Sequence, residues 1–427
     1  MTRPSPQSDE QTKLEARVAK SYLESSDWNG LPVARLLGSY AAEDRVAALE
    51  CLHRAVLAGR LSLTTGTPHP NPHIKAFKPL EPPEQIASCR ATEFRHCCVY
   101  PERPVLEPMV DRQSYEGRPF SLRLALGDPQ LDFVFFRVEI LDFYRADPRL
   151  RYDFNDISGS ICVADEYYDP ENSDGPYLQS FGLAWDDDLL PGITTFLYQL
   201  ARMAPSQQQL WSSQLDDRAL RPHSEFYRSN ILGEFPRYIS HFDALLQEMV
   251  HINKLAALMG RPKLFRHDFD SFQRPRRFGY LLRPTRAGYD AFILLLDKLM
   301  SDNLNKKFFG TDISDREDVE TKNGTEVRHK GTIQMLEEWL RMKVQPSPPE
   351  AFDAIFDAFR RVRKARQRPA HSIVEDAYDI TLFRQQSQLM QHAWTAVRNI
   401  RVAFQGHPAT AEYEVGAFGA ADRVWPL

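Results

Sequence analysis

Residues 351–404 read AFDAIFDAFRRVRKARQRPAHSIVEDAYDITLFRQQSQLMQHAWTAVRNIRVAF, and this stretch decides the fold of the C-terminal third. Phe352, Ile355, Phe356, Phe359 and Val362 recur at three- and four-residue steps, one apolar face of a helix. Arg363 and Arg366 follow on or near that inward face, where an unpaired charge is costly. Pro369 disfavours helical geometry at Arg368 and ends the helix there. His371 comes next, on a turn. A second helix starts near Thr381 and turns Leu382, Gln386, Leu389, Ala393, Val397, Ile400 and Phe404 inward. The two helices are therefore expected to carry Arg366 and His371 to one point at the end of an apolar seam.

Six of the nine residues 360–368 are Arg or Lys, and none is acidic. Like charges spaced three or four apart on a helix cost about 0.2–0.5 kcal/mol per pair. Cations in the last turn regain about 0.3–1 kcal/mol each from the helix dipole. A solvated face is the ordinary reading of such a run. Inward arginines followed by a histidine point instead to an anionic ligand such as phosphate, which would satisfy the whole set. A histidine exchanges protons near neutrality, and an arginine fork grips a phosphoryl oxygen. Together they suit RNA transesterification, in which the 2′-hydroxyl attacks the adjacent phosphate without a metal. One histidine fills one proton-transfer role, and a twofold dimer would bring a second.

Arg366-Gln-Arg-Pro-Ala-His371 resembles the Arg-x4–6-His motif of HEPN-domain ribonucleases, over about residues 286–408. In that family the motif ends one helix of a small bundle and precedes the last long helix. The arginines and histidines of two protomers form one composite site. The resemblance implies that Arg366 binds phosphate and His371 acts as acid and base, with Arg363 and Arg368 assisting. Gln367 stands where the family often has Asn or another polar residue. The resemblance further implies a metal-independent endoribonuclease without cofactor, active on RNA as a homodimer in the cytoplasm. A regulated toxin or antiviral defence effector fits that description.

Composition agrees with a globular chain: 427 residues, 42% apolar and 26% charged, enough for two or three domains. A net charge of −5 means that any nucleic-acid site must be a local basic patch. Five cysteines, an odd number with no Cys-x-x-Cys spacing, point to a reducing setting without structural zinc. No apolar run is long enough for a membrane span, and the first twenty residues lack the apolar core of a signal peptide.

The expected fold is α+β, mostly α, in four segments. Residues 1–98 form a winged-helix-like module: helices over 12–23, 31–37 and 41–58, a strand over 61–65, then a proline-rich extended connector. Its nucleic-acid reading is offset by the acids among Arg45, Arg54 and Arg60, which favours packing or dimerisation. His69, His73, His96, Cys97 and Cys98 match no zinc spacing. Residues 99–188 form an α+β region, with a helix over 129–144 and strands over 151–154, 160–164 and 178–185. Its many acids, Asp153, Asp156 and Asp165 among them, read as a solvated rim, and Asp186–Asp188 as the cap of a helix over 189–203. Residues 189–285 are mostly helical, above all 238–260. They end in a basic, aromatic connector that suits either single-stranded RNA or burial between domains, and in a short strand over 278–282. Residues 286–427 form the HEPN-like bundle of four helices, with a β-hairpin signalled by Asn323-Gly324. Two other functions stay open: a non-catalytic nucleic-acid-binding regulator, and a structural protein whose basic helix meets an acidic partner.

Overall fold

The computed structural model describes residues 6–66, 69–171, 175–269, 274–321, 324–344, 351–367, 375–416 and 423–425. It is α+β and mostly helical, 49% helix against 15% strand. The chain forms two compact units: residues 1–140, 147–153 and 158–235, and residues 141–146, 154–157 and 236–427.

The first unit opens with α1 (Pro6–Leu23), β1 (Leu31–Pro32), α2 (Val33–Gly38), α3 (Arg45–Leu57), β2 (Leu61–Thr64), α4 (Pro82–Ala91) and β3 (Cys98–Pro101). The strands make an antiparallel sheet in the order β1-β3-β2. Leu14 and Val18 of α1, Val33 and Leu36 of α2, and Leu52 and Val56 of α3 share one core with Leu61, Leu63 and Val99 of the sheet.

Helix α4 departs from expectation, because its prolines read as an extended connector. Pro82 and Pro83 occupy the first helical turn, where a missing N–H costs nothing. Glu81 and Glu84 close a reciprocal capping box. Cys89 of α4 and Cys97 are joined as a disulfide, leaving Cys51, Cys98 and Cys162 free. That bond is at odds with the reducing setting read from the cysteine count.

Next come two short helices, α5 (Arg103–Leu106) and α6 (Pro119–Ala125), and β4 (Phe133–Arg137), α7 (Ile140–Ala146), β5 (Leu150–Phe154), β6 (Ser158–Val163), β7 (Leu178–Trp185) and β8 (Pro191–Phe196). After them lie α8 (Leu197–Ala201), α9 (Pro205–Ser212), β9 (Arg221–Pro222) and α10 (Ser224–Ile231). The sheet runs β4-β8-β7-β6-β5, with β9 on β7.

Two helix expectations fail here. The aromatic run Phe133–Arg137 is a strand, and the helix begins only at Ile140. Of residues 189–203 only Leu197–Ala201 are helical; Pro191–Phe196 form β8, because a strand buried on both faces has no period to separate it from a buried helix. Thr194 and Thr195 are fully buried in β8, and their hydroxyls donate to the carbonyls of Val134 and Ser180. Asp186 does not cap a helix. Its Oδ1 accepts from the N–H groups of Asp188 and Leu190 and shapes the β7–β8 turn.

The second unit contains α11 (His241–Leu258), α12 (Arg286–Asp297), β10 (Arg316–Thr321), β11 (Gly324–His329), α13 (Thr332–Lys343), α14 (Ala351–Gln367) and α15 (Thr381–Gln405). Helix α15 lies along both α11 and α14. Across the α11 contact, buried Glu248 accepts from buried Arg401. The inward residues follow the apolar stripe: Phe352, Ile355, Phe356, Phe359 and Val362 on α14, and Leu382, Gln386, Ala393, Val397, Ile400 and Phe404 on α15. Leu389 gives its place to Met390. The hairpin β10–β11 stands between α12 and α13, with Val319 opposite Glu326 and Thr321 opposite Gly324. Residues 278–282 form no strand. Among the described residues, no helix is long and apolar enough to cross a membrane.

Candidate functional site

Helix α12 does not stop at Asp297. It runs on into a π turn, Lys298–Asp302, in which the N–H of Asn303 donates to the carbonyl of Lys298 five residues back. An ordinary α turn would spread residues five apart to different sides; the wider turn brings Asp297 and Asp302 to one side. Helix α14 presents Arg363 and Arg366, three apart, to that side. Arg363 Nη1 lies 2.9 Å from Asp297 Oδ2 and 3.0 Å from Asp302 Oδ1. Arg366 Nη1 lies 2.5 Å from Asp297 Oδ2 and 3.3 Å from Asp302 Oδ2.

The Asp297 side chain has no exposure, whereas the arginines keep 42% and 34% of theirs. The quartet therefore has a buried acidic base and an open cationic rim. Each arginine meets the acids through Nη1 alone, so Nε and Nη2 face no protein partner among the described residues. Asp297 Oδ1 is buried and also lacks a partner there. The expectation that an external anion satisfies the whole basic run is corrected: two carboxylates of α12 and its π turn neutralise the inward arginines.

The other cations of the run divide. Arg360 pairs with Glu337 at 2.6 Å and with Asp357 at 3.4 Å. Arg361, Lys364 and Gln367 are exposed. Arg368 and His371 lie outside the described residues. The chain on the far side of His371 is anchored at the N-terminus of α12. There Arg286 N donates to Ala377 O, Ala287 N to Asp376 Oδ1, and Asp379 N to Pro284 O. Arg366 thus meets the C-terminal end of α12, and residues 376–379 meet its N-terminal end.

In the second basic stretch Phe272 lies outside the described residues, and three of the other aromatics are covered. Phe265, Phe278 and Tyr280 are buried. Arg261 stacks over Phe308 and Trp339 and pairs with Asp312 at 2.5 Å. Arg274 lies over Phe242, 2.6 Å from Asp156 and 3.0 Å from Asp243. Asp156 is no part of a solvated rim: it is buried and accepts from Ser240 Oγ and Tyr280 N. Burial pushes Asp243 up to about 6 against the opposing pull of Arg274.

In the first unit, a cleft of about 250 Å³ is lined by Lys75, Glu102, Arg103 and Asp128. Lys75 Nζ lies 2.9 Å from Glu102 and 2.7 Å from Gly127 O, and Arg103 lies 3.8 Å from Asp128. These charges satisfy one another. Cys98 Sγ stands 3.6 Å from His73 Nδ1, and burial raises its thiol to about 12. Among the described residues, no three His, Cys, Asp or Glu side chains group as metal ligands.

The sequence pattern missed Asp297 and Asp302. The signal was present in part: Asp297 directly follows Leu296 in the apolar stripe of α12, where a charge needs a partner. No family model matches the chain, and no curated protein or solved structure matches it either.

Proposed function

We propose that this chain is a metal-independent endoribonuclease of HEPN type, acting as a homodimer. The observation that carries the reading is Arg366: it lies one residue before the end of α14, ahead of His371 and of the 25-residue α15, with N–H groups left over for an anion. The order of four helices with a hairpin between the first and second supports it as well. Arg366 holds the scissile phosphate, with Arg363, Gln367 and Arg368 beside it. His371 takes the 2′-hydroxyl proton as the 2′-oxygen bonds to phosphorus. The partner's copy of the same histidine protonates the departing 5′-oxygen as its bond to phosphorus breaks. The products are a 2′,3′-cyclic phosphate and a 5′-hydroxyl. A toxin or antiviral role under the control of the first unit is part of the same proposal.

We read residues 1–98 as winged-helix-like, supported by the order α1-β1-α2-α3-β2-α4-β3 around a β1-β3-β2 sheet, in which α4 is an insertion between the last two strands. Helix α3 exposes Val46 and Leu57 at 67% and 58%. Glu50 lies between them on that side, so the exposed surface of α3 is not the basic face that a phosphate backbone requires. This weighs against the alternative of a nucleic-acid-binding regulator acting through that module.

The test is incubation of the full-length protein with labelled RNA in excess EDTA. Cleavage to cyclic-phosphate ends that His371→Ala abolishes is the expected result. RNA left intact under every condition rejects the proposal.

A further inference from the structure

A second polar site lies on the same two helices, away from the acid-bound arginines. Between α14 and α15 runs a groove of about 410 Å³. Its floor is small, Ala358 and Ala396, so the side chains around it stand clear. Its rim carries Arg361, Gln391, His392 and Asn399. Asp357 also borders it, 3.4 Å from Arg360. Arg361 has no ion-pair partner among the described residues, unlike its neighbours Arg360 and Arg363. The groove therefore differs from the cleft around Lys75, where each charge meets its opposite.

The chemistry of the rim selects a ligand. A guanidinium offers paired donors to a phosphate oxygen. Two amides offer a donor and an acceptor each, the complement of a base edge. An imidazole ring can lie against a base face. An aliphatic ligand would gain little from such a lining, and 410 Å³ falls in the usual range for a bound small group.

Arg361 is five residues before Arg366 on one helix, so it lies about 7.5 Å along the axis from that arginine and about 140° around it, on another side of α14. We infer that this groove binds a nucleotide of single-stranded RNA that flanks the cleaved step, the strand passing round α14 between the two sites, with Arg361 on its phosphate and Gln391 and Asn399 on its base. The inference rests on the ribonuclease reading and extends it to the path of the strand.

The experiment uses full-length His371→Ala protein, a fluorescein-labelled single-stranded RNA and EDTA, with anisotropy read over a series of salt concentrations. Arg361→Glu is expected to weaken binding about tenfold and to flatten the salt dependence by about one counterion. Asn399→Ala is expected to weaken binding about threefold at unchanged salt dependence. Lys20→Glu, an exposed charge reversal in the first unit, is the control and changes neither. Circular dichroism establishes that each variant is folded.

Arg361→Glu with the affinity and salt dependence of its parent overturns the inference while leaving the ribonuclease reading intact. So does a change confined to self-association in sedimentation, which makes the groove a contact between copies. If wild-type protein neither binds nor cleaves RNA, the ribonuclease reading falls and takes the groove assignment with it.

Discussion

Arg366 Nη1 lies 2.5 Å from Oδ2 of Asp297, and that same oxygen takes Arg363 at 2.9 Å. A single buried oxygen thus sets the direction of two half-exposed guanidiniums. The acid belongs to α12 and the bases to α14, so the cluster also fixes how these helices meet.

Asp297→Asn removes the charge and keeps the shape. Breaking a fully buried pair costs about 3–5 kcal/mol, but solvent screens both arginines and Asp302 still serves them. A loss of about 1–3 kcal/mol is expected, read as a lower urea midpoint at unchanged m-value. An unchanged midpoint would show that the cluster adds nothing to stability.

Arg366→Ala is a poor test of chemistry alone, because it leaves Asp297 with Arg363 as its nearest cation. Arg366→Lys keeps a charge there and removes the planar fork. The expected outcome is a melting temperature within a few degrees of wild type with RNA cleavage reduced at least about tenfold. Full cleavage by this variant would mean that the fork does not hold phosphate.

Acid should weaken the fold through two histidines. Burial lowers His223 and His241 to about 4. The unfolded chain therefore binds protons there, near ~6.5, before the folded one does. Their contribution is complete above pH 6.5 and is lost as pH falls toward 4, on the order of 3 kcal/mol each at most. Asp243 has the opposite sign. Its folded value is raised to about 6, so the folded chain holds a proton that the unfolded chain has released. That part of the stability is present below about pH 4 and fades as pH rises toward 6. His241→Phe keeps the ring against Trp394 and should make urea midpoints less sensitive between pH 7 and 5. Asp243→Asn should make them more sensitive.

Leu189 sits in the β7–β8 turn at φ 61° with 70% of its surface exposed. A side chain in the left-handed region is strained, whereas glycine is at ease there. Leu189→Gly should raise stability by roughly 0.5–1 kcal/mol, less whatever glycine adds to the entropy of the unfolded chain. Thermal melting with the same transition slope checks it.

The C-terminal helices were legible because one face of each is apolar at a steady period. Phe352 to Val362, and Leu382 to Phe404, are buried as that period requires. Strand β7 was legible to its end residues, and the existence of the hairpin β10–β11 was legible too, although Gly324 pairs with Thr321 as the first residue of β11 and residues 322–323 lie outside the described residues. Strand β8 was not, because burial on both faces erases alternation. Helix α4 was hidden by prolines whose position in the first turn is harmless. The arginine cluster was half legible. An inward arginine announces that it needs an anion, but not whether that anion is a ligand or an aspartate 69 residues earlier in the chain.

The second unit takes residues 154–157 from a stretch whose neighbours belong to the first. Among them is Asp156, which meets Arg274 at 2.6 Å where the arginine is nine-tenths covered. A protease cutting near residue 235 would not release an intact C-terminal half, since the piece set free would carry a cation stripped of one of its two counter-charges. A cut there would loosen the second unit rather than free it whole.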